Sequence, residues 1–178
     1  MRIIGGRFKR AALRAPKGLD TRPTSDRVRE ALFNRLEARL DLEGTRVLDL
    51  FAGTGALGLE AISRGAASAV FVEKSEGALR VLRQNAATLG VEGACTFVRA
   101  DAVAWLRRAG GLYDLAFADP PYDLPALPDL PALIRPILAP GGLFALEHDA
   151  RHTFAEVPSL VGSWPYGRTV VSLFAAEG

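Results

Sequence analysis

The chain has 178 residues, of which 49% are hydrophobic and 24% charged, a composition typical of one globular domain with a substantial core. It has no apolar run of membrane-spanning length and no apolar secretory signal at its N-terminus, so we expect a cytoplasmic protein without a membrane partner. Its single cysteine, Cys95, excludes an internal disulfide framework and a cysteine-based zinc site.

The net charge of +2 is unevenly distributed along the chain. Residues 20–178 contain 16 basic and 20 acidic residues, whereas residues 1–19 contain basic residues and no acidic ones: Arg2, Arg7, Lys9, Arg10, Arg14 and Lys17. We expect residues 1–24 to form a basic arm, folded as a β-hairpin, ahead of an α/β core at 25–178 in the same domain. Such an arm is either a surface for a polyanion such as nucleic acid or a solvated tail.

A first helix is predicted directly after the basic arm. Thr24, Ser25 or Asp26 can cap its N-terminus. Apolar residues then recur at helical spacing and give the helix one apolar face, made of Val28, Leu32, Leu36 and Leu40.

From residue 45 onward, predicted strands alternate with predicted helices. The strands are 45–53, 68–74, 95–101, 113–121 and 143–149; the helices are 56–65, 75–90, 102–110 and a proline-interrupted helical region at 125–142. This alternation predicts right-handed βαβ units and a parallel sheet covered on both faces. Residues 161–178 then read as two strands joined near Tyr166, which predicts an antiparallel edge.

The glycines after the first strand form a G-x-G-x-x-G motif. They are Gly53, Gly55 and Gly58, and Glu73 follows 20 residues after the first of them, at the end of the next strand. That spacing suits a dinucleotide, with the loop amides on a pyrophosphate and the acid on a ribose hydroxyl. It also suits S-adenosylmethionine, whose methionine part can approach the glycine backbone while Glu73 holds the ribose.

Asp49 favours S-adenosylmethionine over a dinucleotide. It lies on the strand that leads into the glycine loop, where its carboxylate would repel a pyrophosphate in a partly desolvated cleft. A cationic α-amino group is a more favourable neighbour. Asp101, at the end of the third strand, can accept a hydrogen bond from an adenine amino group, cap the next helix, or do both.

The stretch "FADPPYDLP" ends the fourth strand with an acid, two prolines and an aromatic ring. An exocyclic amino group of a base is a poor nucleophile, because its lone pair is delocalised into the ring. The Asp119 carboxylate and the Pro120 carbonyl can accept the protons of such an amine, and Tyr122 offers a face on which a base can stack. The alternative is a rigid turn with an aspartate cap.

His148 and His152 are the only histidines and lie four residues apart. They lack a clear third ligand, and we expect no metal.

The motifs "DLFAGTGALGLEA" and "DPPY" resemble those of amino-group methyltransferases that act on nucleic acid. With "MRIIGGRFKRAAL", "RPTSDRVREALFNRL" and "YGRTVVSLF", nearly the whole chain resembles the bacterial 16S rRNA guanine-N2 methyltransferases of the RsmD type. The resemblance implies a Rossmann-like, mostly parallel sheet of seven strands whose last strand is antiparallel. It also implies a flipped guanine of 16S rRNA as substrate, within a 30S subunit or an assembly intermediate, and a monomeric enzyme.

The resemblance also assigns roles to residues. Asp49, Gly53 and Gly55 would hold the methionine part of S-adenosylmethionine, Glu73 the ribose and Asp101 the adenine; the expected cofactor site further includes Thr24, Phe51, Lys74 and Ala102. Asp119, Pro120 and Tyr122 would hold the target base. The expected nucleic-acid-binding residues are Arg7, Lys9, Arg10, Arg14 and Arg22.

Two other functions remain compatible with the residues. The glycine loop allows an NAD-dependent oxidoreductase, and the basic arm allows a non-catalytic rRNA-binding assembly factor. Sequence-specific DNA methyltransferases share the short motifs, but the chain has no spare length for a target-recognition region.

Overall fold

The computed structural model describes residues 1–15 and 26–176 and contains a seven-stranded sheet of order β3-β2-β1-β4-β5-β7-β6. The strands are β1 Arg46–Leu50, β2 Ser68–Glu73, β3 Cys95–Arg99, β4 Tyr113–Ala118, β5 Leu138–Asp149, β6 Leu160–Tyr166 and β7 Thr169–Ala175. The helices are α1 Asp26–Glu37, α2 Ala56–Ser63, α3 Glu76–Leu89, α4 Ala102–Leu106 and α5 Leu130–Ile134. The expected α/β fold with a mostly parallel sheet is confirmed.

Strands β1 to β5 pair in parallel, and β7 runs antiparallel to both of its neighbours, β5 and β6. The strand order reverses at β1, which pairs with β2 on one side and with β4 on the other. Ligands of open parallel sheets bind at such a reversal, outside the carboxyl ends of the strands. The fold therefore places the candidate site at the ends of β1 and β4.

Two apolar clusters cover the two faces of the sheet. Successive residues of β1 alternate between them, with Val47 in one cluster and Leu48 in the other. Helices α1, α2 and α3 pack on the first cluster, where the ring of Phe33 lies 5.6 Å from that of Phe117. Helices α4 and α5 pack on the second cluster. This is the doubly covered sheet that alternating strands and helices predict.

Several bounds differ from the sequence prediction for local reasons. The fifth strand begins at Leu138 rather than 143, and a register shift between Tyr113 and Leu115 accommodates the longer strand. The helix expected at 102–110 ends at Leu106. In the proline-rich region only α5 is α-helical; it lies between two 3₁₀ turns, Leu127–Asp129 and Arg135–Ile137, because proline cannot donate to a continuous helix.

Residues 1–15 turn back on themselves without forming two strands. A single antiparallel bridge joins Arg2 to Ala12, and the amide of Leu13 donates to the carbonyl of Met1 at 2.9 Å. Of the expected hairpin over residues 1–24, the structure therefore describes a bridged loop over residues 1–15. The expected site residues Arg22 and Thr24 lie outside the described residues.

This segment is docked on α2 rather than projecting from the core. The carboxylate of Glu60, a buried residue of α2, accepts from the amides of Ile4 at 2.7 Å and Gly5 at 2.8 Å. The carbonyl of Ser63 accepts from the Arg7 amide at 2.8 Å, which satisfies an otherwise orphaned carbonyl at the end of the helix. The basic residues 1–15, which the sequence predicted as an arm, are therefore packed against α2 as part of the protein surface.

Within residues 1–15 and 26–176, no helix combines the length and apolar character needed to span a bilayer.

Candidate active site at the carboxyl ends of the strands

Acidic residues lie at or just beyond the carboxyl ends of neighbouring strands. Asp49 is on β1, Glu73 ends β2, Asp101 follows β3 and Asp119 follows β4. Asp49 pairs in register with Phe117, so Asp119 lies two residues beyond the position opposite Asp49. Because adjacent strands are about 4.8 Å apart, the carboxyl ends of β1 and β4 form one continuous edge.

The glycine loop after β1 has the positive φ angles that glycine residues permit. Gly53 and Gly55 have φ values of 54° and 79°, and Phe51 also has a positive φ of 55°, which is uncommon for a bulky residue. A Cβ on Gly55 would lie 2.9 Å from Cγ of Leu82 on α3, closer than real packing allows. The loop is therefore tightly packed against α3, and Phe51 adopts a strained conformation next to the expected cofactor position.

Glu73 holds the loop through two main-chain contacts. Its Oε2 accepts from the Gly53 amide at 2.9 Å, and its Oε1 accepts from the Ser75 amide at 2.8 Å. A carboxylate still has acceptor capacity after two such bonds, so it can also accept from ribose hydroxyls. The exposed Lys74 follows it directly.

Asp49 is buried, with 2% of its surface exposed. Its Oδ2 accepts from the Gly58 amide in the first turn of α2 at 2.9 Å. Burial raises the pKa of Asp49 to about 8, the Gly58 hydrogen bond acts in the opposite direction, and the charge of Glu73 raises it further. An ammonium group brought to this carboxylate would favour its ionised form.

Asp101 caps α4. Its Oδ1 accepts from the Ala104 amide at 2.9 Å, so the helix-capping interpretation is confirmed. Asp101 is nevertheless exposed, while Ala102 is buried as the first residue of the helix. A contact with adenine stays a prediction.

The Asp-Pro-Pro-Tyr stretch forms a turn anchored by its aromatic residue. Asp119 is half-buried and Pro120 buried, and the carbonyl of Pro121 accepts from the Leu124 amide at 3.0 Å. The Tyr122 hydroxyl lies 2.9 Å from Oγ1 of Thr169 and donates toward Glu147 Oε1 at 3.4 Å. The ring is thus fixed from its hydroxyl end.

The expected nucleic-acid-binding residues that the structure describes are all exposed: Arg7, Lys9, Arg10 and Arg14. Arg7 stacks on the ring of Phe8, with its guanidinium carbon 4.7 Å from the ring centroid. Arg7 lies at the C-terminal end of α2, and eight helical residues separate that end from the glycine loop, a length of about 12 Å. Arg7 therefore lies away from the glycine loop, whereas the main chain of Arg14 is joined to Thr54 of that loop through the side chain of Asn85.

The two histidines have structural partners. Nε2 of His148 lies 2.7 Å from Oγ of Ser172, and Nδ1 of His152 lies 3.0 Å from Oδ1 of Asp149. Burial lowers the pKa of His148. In residues 1–15 and 26–176, no group of three or more His, Cys, Asp or Glu side chains is arranged to hold a metal ion.

Sequence reasoning missed Asn85 on α3. This buried side chain contacts both the glycine loop and the N-terminal segment. A signal was present, because Asn85 lies on the apolar face of α3 beside Leu82, Ala86 and Leu89, where a polar residue needs a specific partner.

A sheet of this strand order, with the seventh strand reversed between the fifth and sixth, defines the Rossmann-like methyltransferase fold, and solved structures share it. The family model described as "Conserved hypothetical protein 95" matches residues 1–175. The chain belongs to this family, and the resemblance to the RsmD type is confirmed.

Individual relatives match over most of their length. The chain is 36% identical over 174 residues to the Ribosomal RNA small subunit methyltransferase D of Escherichia coli K12, with 97% of this chain and 85% of the relative covered. The structure of a hypothetical protein of Thermus thermophilus, TTHA0928, has a TM-score of 0.84 at 35% identity, covering 100% of this chain and 99% of that one.

A more distant structure supports the fold alone. The Thermus thermophilus 16S rRNA N2 G1207 methyltransferase RsmC, solved with AdoMet and guanosine, has a TM-score of 0.72 at 21% identity, covering 90% of this chain and 45% of that chain.

Proposed function

We propose that this protein is an S-adenosylmethionine-dependent methyltransferase that modifies the exocyclic N2 amino group of a guanine in 16S rRNA. The observation that carries the proposal is the position of the Asp119–Tyr122 turn at the end of β4, directly beside the β1 strand and glycine loop. The proposed site for a planar amine thus adjoins the proposed site for a cofactor.

The residues of the proposed cofactor site fit S-adenosylmethionine. The Glu73 carboxylate accepts from two amides and keeps acceptor capacity toward a ribose, and a cationic group would ionise the buried Asp49 beside it. The bound cofactor supplies a sulfonium-activated methyl group. Phe51, Gly53 and Gly55 would hold its methionine part, and Lys74, Asp101 and Ala102 would hold its adenine.

The residues of the proposed base site would hold and orient the base. Asp119 and the Pro120 carbonyl would accept hydrogen bonds from the amino group, which makes the nitrogen lone pair available, and Tyr122 would stack on the base. As the nitrogen–methyl bond forms and the sulfur–methyl bond breaks, the nitrogen loses one proton, to the Asp119 carboxylate or to solvent. Such positioning can account for roughly 7–11 kcal/mol of a reaction barrier, so a strong general base is unnecessary. The target guanine must leave its stack, at a cost of a few kcal/mol.

The basic surface and the relatives support the proposed RNA substrate. Arg7, Lys9, Arg10 and Arg14 would contact the phosphate backbone of rRNA in a 30S subunit or an assembly intermediate. The relative named Ribosomal RNA small subunit methyltransferase D, 36% identical, supports this substrate. We propose that the protein acts as a monomer in the cytoplasm.

The test is methyl transfer to unmodified 30S subunits, followed by mapping of the methylated nucleosides. The wild type should yield N2-methylguanosine in 16S rRNA. Asp119→Ala should keep the fold and S-adenosylhomocysteine binding but lose transfer. Asp123→Ala, at an exposed carboxylate four residues away, is the matched control and should remain active.

Two outcomes would contradict the proposal. Full activity of Asp119→Ala removes its assigned role, and incorporation on no form of the RNA or subunit favours a non-catalytic assembly factor. Calorimetric titration with NAD and S-adenosylmethionine separates the methyltransferase from an NAD-dependent oxidoreductase.

A further inference from the structure

The side-chain amide of Asn85 joins two distant parts of the chain, and its oxygen and both of its hydrogens take part in hydrogen bonds. The side chain is 1% exposed. Its Oδ1 accepts from the Arg14 amide at 2.8 Å, and its Nδ2 donates to the Arg14 carbonyl at 3.2 Å and to the Thr54 carbonyl at 3.1 Å. Both amide hydrogens are therefore satisfied, and neither can be lost without leaving a buried polar group unpaired.

One end of this contact is the cofactor loop. Thr54 is buried between Gly53 and Gly55, and the Gly53 amide is held by Glu73, the residue expected to bind the ribose. Glu73 also holds the amide of Ser75, the N-cap of α3, and α3 carries Asn85. The loop is thus fixed between Glu73 and Asn85, at two consecutive residues.

The other end of the contact is the basic N-terminal segment. Arg14 is exposed, and its main chain is bound on both its amide and its carbonyl side by the same Asn85 side chain. The next anchor toward the N-terminus is Leu13, which is buried and pairs with Met1. Asn85 therefore links the main chain of a proposed RNA-contacting residue to the loop.

We propose that Asn85 is a positioning residue that couples the cofactor loop to the basic N-terminal segment, so that cofactor and rRNA each strengthen binding of the other. This inference rests on the proposed function. A ligand that binds Glu73 also restrains the residual motion of Thr54, Asn85 and Arg14 through these hydrogen bonds, and the second ligand then binds a segment whose motion is already reduced. By linkage, the factor by which one ligand strengthens the other is the same in both directions.

The coupling is measured as a ratio of affinities. Binding of the labelled protein to unmodified 30S subunits is measured with and without saturating S-adenosylhomocysteine, and calorimetry of S-adenosylhomocysteine supplies the second ligand's own affinity. The wild type should bind subunits about fivefold or more tightly with S-adenosylhomocysteine, the lower range of typical couplings. A residue with a merely structural role would weaken affinities but leave this ratio unchanged.

Two variants and one control isolate the link. Asn85→Asp keeps an acceptor for the Arg14 amide but loses both donations, and Asn85→Leu removes all of the contacts. The ratio should approach one in both. Asn85→Asp also keeps the test available where Asn85→Leu fails to fold. Asn34→Asp, at the exposed asparagine of α1, should retain the wild-type ratio.

The results separate this inference from the proposed function. A wild-type ratio of one, or a ratio unchanged in the folded Asn85 variants, overturns the coupling while leaving the methyltransferase intact. A wild type that binds neither S-adenosylhomocysteine nor 30S subunits overturns the proposed function itself.

Discussion

The Oδ2 atom of Asp49 accepts a hydrogen bond from the amide of Gly58 at 2.9 Å, which ties the end of β1 to the first turn of α2. Gly58 is required for this approach, because a Cβ there would collide with the ring of Phe71 and lie 3.1 Å from the same carboxylate oxygen. The third glycine of the motif thus serves close packing around a buried acid. Because burial raises the pKa of Asp49, both the stability of the protein and its binding of a cofactor should depend on pH.

The first prediction concerns stability against pH. The unfolded chain ionises an aspartate near pH 4, whereas burial raises the pKa of Asp49 in the folded protein to about 8. Between these values Asp49 binds more protons in the folded state, so its contribution to the free energy of unfolding should fall as pH rises from 4 to 8, by about 1 kcal/mol or more. The lowered pKa of His148 acts in the opposite direction below about pH 6.5. Urea denaturation at several pH values measures this slope.

Asp49→Asn is the matched variant, since asparagine keeps the shape and cannot ionise. Its unfolding free energy should vary less over the same pH range than that of the wild type. Equal slopes in the two proteins would show that Asp49 does not hold its proton in the folded state.

The second prediction concerns protons released on cofactor binding. At pH 7 the buried Asp49 of the free protein is mostly protonated, and the ammonium group of S-adenosylmethionine would favour the carboxylate. Binding should therefore release up to about one proton per site. Calorimetry in two buffers of different ionisation enthalpy measures the release. Asp49→Asn should release none, and an equal release from it would assign the proton to another group.

The sequence predicted the parts of this site that depend on local order along the chain. Asp49, Glu73 and Asp119 each follow or end an apolar run, and parallel strands bring such ends to one edge. The sequence also predicted the capping role of Asp101, because its partner Ala104 is only three residues away.

The parts that escaped prediction depend on contacts between distant segments. The Ile4 amide binds Glu60 across 56 positions, and the Arg14 amide binds Asn85 across 71. No local pattern specifies such a pair, since a helix or a hairpin propensity says nothing of which surface it docks against. The charge of the N-terminal residues predicts a basic arm, but it carries no information on the surface against which residues 1–15 pack.

The third prediction separates the ring of Tyr122 from its hydroxyl. Tyr122→Phe keeps a face for stacking and should keep kcat/KM within about threefold, but loss of the contact with Thr169 should reduce the free energy of unfolding by about 1 kcal/mol. Tyr122→Ala removes the face and should lower kcat/KM by about five- to 150-fold, since stacking contributes about 1–3 kcal/mol. Methyl transfer to 30S subunits and urea denaturation give the two readouts. If Tyr122→Phe were as inactive as Tyr122→Ala, the hydroxyl rather than the ring would hold the base.

The fourth prediction concerns the docking of the N-terminal segment at Gly6. Gly6 and Gly44 share a φ of 73°, but a Cβ on Gly6 would collide with the Ser63 carbonyl, whereas nothing lies within 4 Å of a Cβ on Gly44. Alanine at either position bears the cost of the left-handed backbone, about 1–2 kcal/mol. Only Gly6→Ala should also break the contact of the Arg7 amide with Ser63, and so displace Arg7 and its neighbours from α2.

Gly6→Ala should therefore destabilise the protein by at least about 1 kcal/mol more than Gly44→Ala, as expected for overpacking. It should also weaken binding to 30S subunits and reduce the salt dependence of that binding, because fewer cations would face the phosphates. Urea denaturation and subunit binding at several salt concentrations measure both effects. Equal effects of the two variants on subunit binding would show that the docked position of the basic residues is irrelevant to the substrate, and that their charge acts from any position.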